Sequence, residues 1–180
     1  MLHLKNIGFS PSETGHLLSE ARNLGKDCII RDCRVSTKYV EFDVSIQKSK
    51  LDELVKKLKP IAPLDHARLV FEEHIPKEDA IKKGIMYFND ERFWEAHEVL
   101  EGVWKKCYGE EKILVQAIIL IAAALVHFQK SENSICLSVL DRASEKLKDS
   151  TGMYYGINVD MIREKLDMIR NSKKILLFTM

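Results

Sequence analysis

Apolar residues recur at two spacings along this chain, alternating in short runs before Pro76 and falling three or four apart after it. The first part therefore predicts strands mixed with helices. "MLHLKNIGF" reads as a strand, and Ser10-Pro11-Ser12-Glu13 as a helix start with Ser at the N-cap, Pro at the first helical position and Glu two residues later. Leu17, Leu18, Ala21 and Leu24 form the buried stripe of that helix, and Gly25 ends it. "DCIIRDCRV" and "KYVEFDVSI" follow as two strands turning around Ser36-Thr37. The second alternates, with Val40, Phe42, Val44 and Ile46 on a face to be buried and Tyr39, Glu41, Asp43 and Ser45 on a face to be wet. Leu51, Leu54, Val55 and Leu58 mark a second helix stopped by Pro60 and Pro63, and "HARLVFEE" closes the unit as a strand with Ala67, Leu69 and Phe71 inward.

The resulting order, strand-helix-strand-strand-helix-strand, resembles the ferredoxin-like split pattern, an antiparallel sheet with two helices on one face. Gly8 after the first strand and Gly15-His16-Leu17-Leu18 opening the first helix are also similar to the small regulatory ACT domains. That resemblance implies a dimerisation or ligand-sensing module over residues 1–75, with an unknown small molecule as the ligand.

From Pro76 the pattern is helical. Helices are expected at about 77–89, 90–107, 110–130, 132–150 and 158–171, with Asp90, Ser131 and Asn158 as N-caps and Gly109 and Gly152 as breaks. Connections this short make successive helices antiparallel neighbours, so residues 76–180 are expected to form a helical bundle. The fold class read from the chain is α+β in two domains. Ile113 to Phe128 is the most apolar run, but Gln116 and His127 interrupt it short of the roughly 18 apolar residues of a membrane span. It reads as a buried helix.

Composition narrows the functional classes. With 46% hydrophobic and 31% charged residues, the chain has the make-up of a globular protein, and its net charge of +1 gives no bulk attraction to nucleic acid or an anionic membrane. Neither is expected as a partner. No charged leader with an apolar stretch opens the sequence, which favours a cytoplasmic location. Cys28 and Cys33 are an odd number of positions apart on one strand and Cys107 and Cys136 are isolated, so four reduced thiols are expected rather than a disulfide or Cys-rich metal site. No Walker motif, dinucleotide-binding glycine fingerprint or nucleophile elbow is present.

Candidate chemistry is concentrated in "RFWEAHEVLEGVW", Arg92 to Trp104. At helical spacing Phe93, Trp94, His97, Leu100, Glu101 and Trp104 share roughly a third of the circumference, which predicts a buried His97 and Glu101 and leaves Glu95 and Gly102 for water. A buried carboxylate needs a partner or a cation. Two readings follow. In the first, His97 and Glu101 hydrogen-bond each other and, across a hairpin turning near Tyr108-Gly109, Gln116, with Trp94 completing a structural polar network. In the second, His97-Glu98-Val99-Leu100-Glu101 is an H-E-x-x-E variant of the helical zinc motif, with His97 and Glu101 as ligands of one divalent zinc, manganese or iron ion. Glu98 is then the catalytic base, and His127 the candidate third ligand. Reflection about the turn sets His127 about seven residues, or roughly 10 Å, beyond the level of His97.

Tyr87 to Trp104, "YFNDERFWEAHEVLEGVW", resembles the signature of an uncharacterised prokaryotic helical family catalogued as domain of unknown function 309. Phe88, Asn89, Phe93, Trp94, Glu95, Ala96, His97, Glu98, Glu101 and Trp104 carry the match, and the Gln116 to His127 helix fits it as well. The resemblance covers residues 77–150 and implies an all-helical bundle; members have been labelled predicted metal-dependent hydrolases. The expectation is a non-catalytic binding or scaffolding protein, homodimeric, built around a buried His-Glu-Gln network. A metal-dependent hydrolase is the alternative.

Overall fold

The computed structural model describes residues 1–71 and 75–180. The described chain divides into two compact units, one of Met1–Phe71 with Gln129–Ser131 and one of the remaining residues. The architecture is α+β: a four-stranded antiparallel sheet with helices, followed by helices.

In the first unit β1 (Leu2–Lys5), α1 (Thr14–Leu24), β2 (Ile29–Val35), β3 (Tyr39–Ser45), α2 (Leu51–Leu58) and β4 (Leu64–Ala67) follow in the expected order. The sheet runs β2-β3-β1-β4 with antiparallel neighbours throughout, the arrangement of the split pattern. Alternation on β1 and β3 turns Leu2, Leu4, Val40 and Phe42 to one face, where Leu17 and Ala21 of α1 and Leu54 and Leu58 of α2 complete a core. The Ser10 backbone N–H donates to Glu13 Oε2 at 2.7 Å, so the acidic residue after Pro11 does cap the first turn.

Two expectations fail here. β4 stops at Ala67, and Ala67, Leu69 and Phe71 are exposed rather than inward. The β1–β4 backbone pairing closes with Met1 and Arg68, which exchange bonds of 2.7 and 2.8 Å, and beyond that pair no described strand lies alongside. Glu72 and Glu73 of the expected strand lie outside the described residues. The second face of the sheet is also not simply wet. Glu41 is fully buried, its Oε2 accepting from the equally buried Arg34 Nε at 3.2 Å, and the His3 and His66 rings stack 4.2 Å apart beside it.

The second unit holds α3 (Lys77–Asn89), α4 (Phe93–Trp104), α5 (Gly109–Phe128), α6 (Asn133–Leu147) and α7 (Val159–Ser172). Between α6 and α7 a short hairpin intervenes, β5 (Met153–Tyr154) with β6 (Ile157–Asn158), which helical periodicity did not show. Asn158 caps α7, its Oδ1 accepting from Met161 N–H at 3.0 Å. Asp90 and Ser131 do not cap; Arg92 and Glu132 occupy those positions, after Glu91 and Ser131 turn the chain through positive φ. α5 is long and apolar enough to cross a membrane by length and composition alone. Its Leu114, Ile118, Ile121, Ala122 and Leu125 are consumed in the core shared with Phe88, Phe93 and Leu140.

Candidate functional site

α4 carries the candidate residues, and its orientation decides what they can do. Phe93, Ala96, Leu100 and Val103 form the buried stripe, leading on to Cys107 beyond the helix. This stripe is turned by roughly 80° from the expected one. The cause is close packing on small residues: a Cβ added to Gly84 of α3 would lie 2.7 Å from Leu100 Cγ, so Leu100 is seated directly against that backbone. Trp94 and Trp104, weighted as core in the sequence, take half-exposed rim positions, which suit rings with an apolar body and a polar edge.

The buried acid is Glu95, at 1% exposure, and not Glu101. Arg92 grips it through two hydrogen bonds, Nε to Oε2 at 2.6 Å and Nη2 to Oε1 at 2.7 Å, and lies 4.4 Å over the Tyr87 ring. Sequence reasoning missed this pair, although a carboxylate three residues after an arginine at a helix start was a legible signal.

His97, Glu98 and Glu101 instead form a half-exposed group, with side chains 30%, 44% and 42% accessible. One ligand atom from each, a ring nitrogen and two carboxylate oxygens, lies within 4.8 Å of the others. His97 Nδ1 stands 3.5 Å from Glu98 Oε1, and Lys105 Nζ is 3.9 Å from Glu101 Oε1. Among the described residues no hydrogen bond joins His97, Glu101 and Gln116. Gln116, Leu120, Ala123 and His127 do share a face of α5, but a half-exposed one. Lys112 Nζ lies 4.5 Å over the Trp104 ring, a pairing level with the reflection expected about the α4–α5 turn. His127 is engaged elsewhere, its Nδ1 2.5 Å from Glu132 Oε2.

Residues 81–139 match the family model described as a domain of unknown function (DUF309). This segment belongs to that family. It runs from α3 into α6, so His97, Glu98, Glu101, Gln116 and His127 all lie within the DUF309 segment, whereas the four-stranded sheet with α1 and α2, and also α7, lie outside it. Among curated proteins none matches the chain.

One further cluster joins three elements of the helical unit. Glu111 of α5 accepts from the Lys77 ammonium of α3 and, at 3.0 Å, from the Tyr154 hydroxyl of β5. Lys77 holds the Glu111 carboxyl below its usual range, and burial raises the neighbouring Cys107 thiol, with Glu111 adding to the effect. Burial likewise pushes Cys33 and Cys136 up to about 12. These thiols stay protonated at neutral pH, which makes them packing residues rather than nucleophiles.

Proposed function

We propose that the helical unit is a divalent-cation-binding module, with His97, Glu98 and Glu101 as the ligand set, in a protein that binds rather than catalyses. The observation that carries this is the convergence of three ligand atoms within 4.8 Å on one accessible helix face. An imidazole and two carboxylates suit zinc, manganese or iron, and a partly open face leaves further coordination positions for water or a partner's donor. The residues therefore fit a metal of this class. A cation there would also neutralise two adjacent carboxylates that otherwise repel each other across the same helix face.

The hydrolase reading assigns Glu98 a different part, that of a base acting on metal-bound water. Its carboxylate supports the ligand role instead, because it stands within the same group as His97 and Glu101. Calorimetric titration of the full chain with zinc separates the two. Glu98→Gln is expected to weaken binding by at least tenfold and His97→Ala to abolish it. Unchanged affinity in Glu98→Gln would return Glu98 to the role of base, and absence of saturable binding by the unmodified chain would sink the metal site altogether.

A further inference from the structure

α7 ends at Ser172, and the next residue, Lys173, sits at φ 55 and ψ 17, its N–H bonded to Ile169 O at 2.8 Å. A residue with a Cβ is disfavoured in that left-handed region, so the turn that folds the following segment back onto the helical unit is strained. Lys173 to Met180 form no helix or strand. Ile175, Phe178 and Met180 nevertheless pack against the helical core, the Phe178 ring 5.7 Å from that of Phe88, while Leu176 and Leu177 remain 37% and 38% exposed.

The polar anchor is Asn89, the residue next to Phe88. Its Oδ1 accepts from the Met180 N–H at 2.8 Å and its Nδ2 donates to the Met180 carbonyl at 2.9 Å. A side-chain amide offers a donor and an acceptor side by side, so it completes the backbone of an extended segment as a neighbouring strand would. It reads conformation and not side-chain identity; Phe88 and the apolar core beside it select the side chains. Both Phe88 and Asn89 lie inside the family segment, whereas the residues they hold lie outside it.

We propose that Ile175–Met180 is an exchangeable arm, which docks on the Phe88–Asn89 corner of a second copy of this chain as it does on its own. The Phe88–Phe178 and Asn89–Met180 contacts each join a residue after Lys173 to one before it, so the same contacts form between two copies when only that hinge changes. Straightening Lys173 relieves its left-handed conformation, and a strained short hinge is the feature that favours exchange. Tethering in the same chain opposes it, so the exchanged form grows with protein concentration. Leu176 and Leu177 supply apolar surface that two arms running past one another can cover. The occupant is a second copy because the segment that fits the corner is encoded in this chain. The proposal is independent of the cation site.

The test uses the full chain and sedimentation equilibrium. The unmodified protein is expected to dimerise with rising concentration. Lys173→Gly, which tolerates the closed turn, should weaken the dimer about tenfold, and Lys173→Pro, which cannot adopt positive φ, should strengthen it about tenfold. A mixture of Asn89→Cys and Met180→Cys chains, refolded together and oxidised, should give a disulfide-linked dimer. The double variant, refolded dilute, should close within one chain. Purely monomeric protein, a dimer indifferent to Lys173, or a mixture that fails to cross-link would each overturn the arm exchange.

Discussion

Glu95 and His97, two positions apart on α4, have opposite fates. Glu95 is sealed against Arg92 with two charge-assisted bonds, and removing its charge would leave a largely desolvated guanidinium short of its partner. Glu95→Gln is therefore expected to cost about 2–4 kcal/mol in urea unfolding. His97 is half-exposed, with Glu98 Oε1 3.5 Å from its Nδ1. His97→Ala should cost less than about 1 kcal/mol while removing cation binding. Equal costs for the two variants would show that His97 is a structural residue after all. The set of polar residues was legible in the sequence; which acid was buried was not, because a helix rotation of roughly 80° takes Glu101 off the buried face while Arg92 closes over Glu95.

The rotation is set between elements. Gly84 admits Leu100 closely, and the small Ala96 and Val103 line the same buried face of α4. Replacing Gly84 by Ala forces a methyl group into Leu100, a side chain only 2% exposed and without room to retreat. Gly84→Ala should cost about 1–3 kcal/mol through overpacking. Adding Leu100→Ala should recover part of that, so the double variant is expected to be more stable than the sum of the two single effects. Strict additivity in thermal or urea unfolding would mean the helices separate freely there. Element types were readable from periodicity, since helix and strand differ in repeat. The β5–β6 hairpin was not, because two-residue strands carry no repeat to detect.

At the scale of the whole molecule, the formal charge of +1 predicts little general self-repulsion at neutral pH, so acid sensitivity rests on particular carboxylates. Glu111 is one, tying α3, α5 and β5 through Lys77 and Tyr154. Its folded pKa is depressed, chiefly by the hydrogen bond from Lys77, so its stabilisation is fully present above the ordinary glutamate value of about 4.5 and is lost as pH falls through the folded value. Between about pH 5 and pH 3 the unmodified chain should lose more stability than Lys77→Met, by about 1 kcal/mol or less for so accessible a pair. Identical acid profiles would remove Glu111 from this account.

The sequence by itself determined the α+β class, the order of strands and helices before Pro76, the helical run after it, and the short stretch that holds the candidate chemistry. Each is a property of local repeat, capping or residue type, which a chain carries before it folds. The Arg34–Glu41 pair was within reach as well, since folding the hairpin about Ser36 and Tyr39 sets the two opposite each other. Only tertiary structure decided that Glu95 is buried while Glu101 faces solvent, that His127 pairs with Glu132, and that Asn89 holds the backbone of Met180. Those outcomes depend on how closely a neighbouring backbone approaches and on which distant segment arrives beside it, and neither is written in the spacing of residues along one helix.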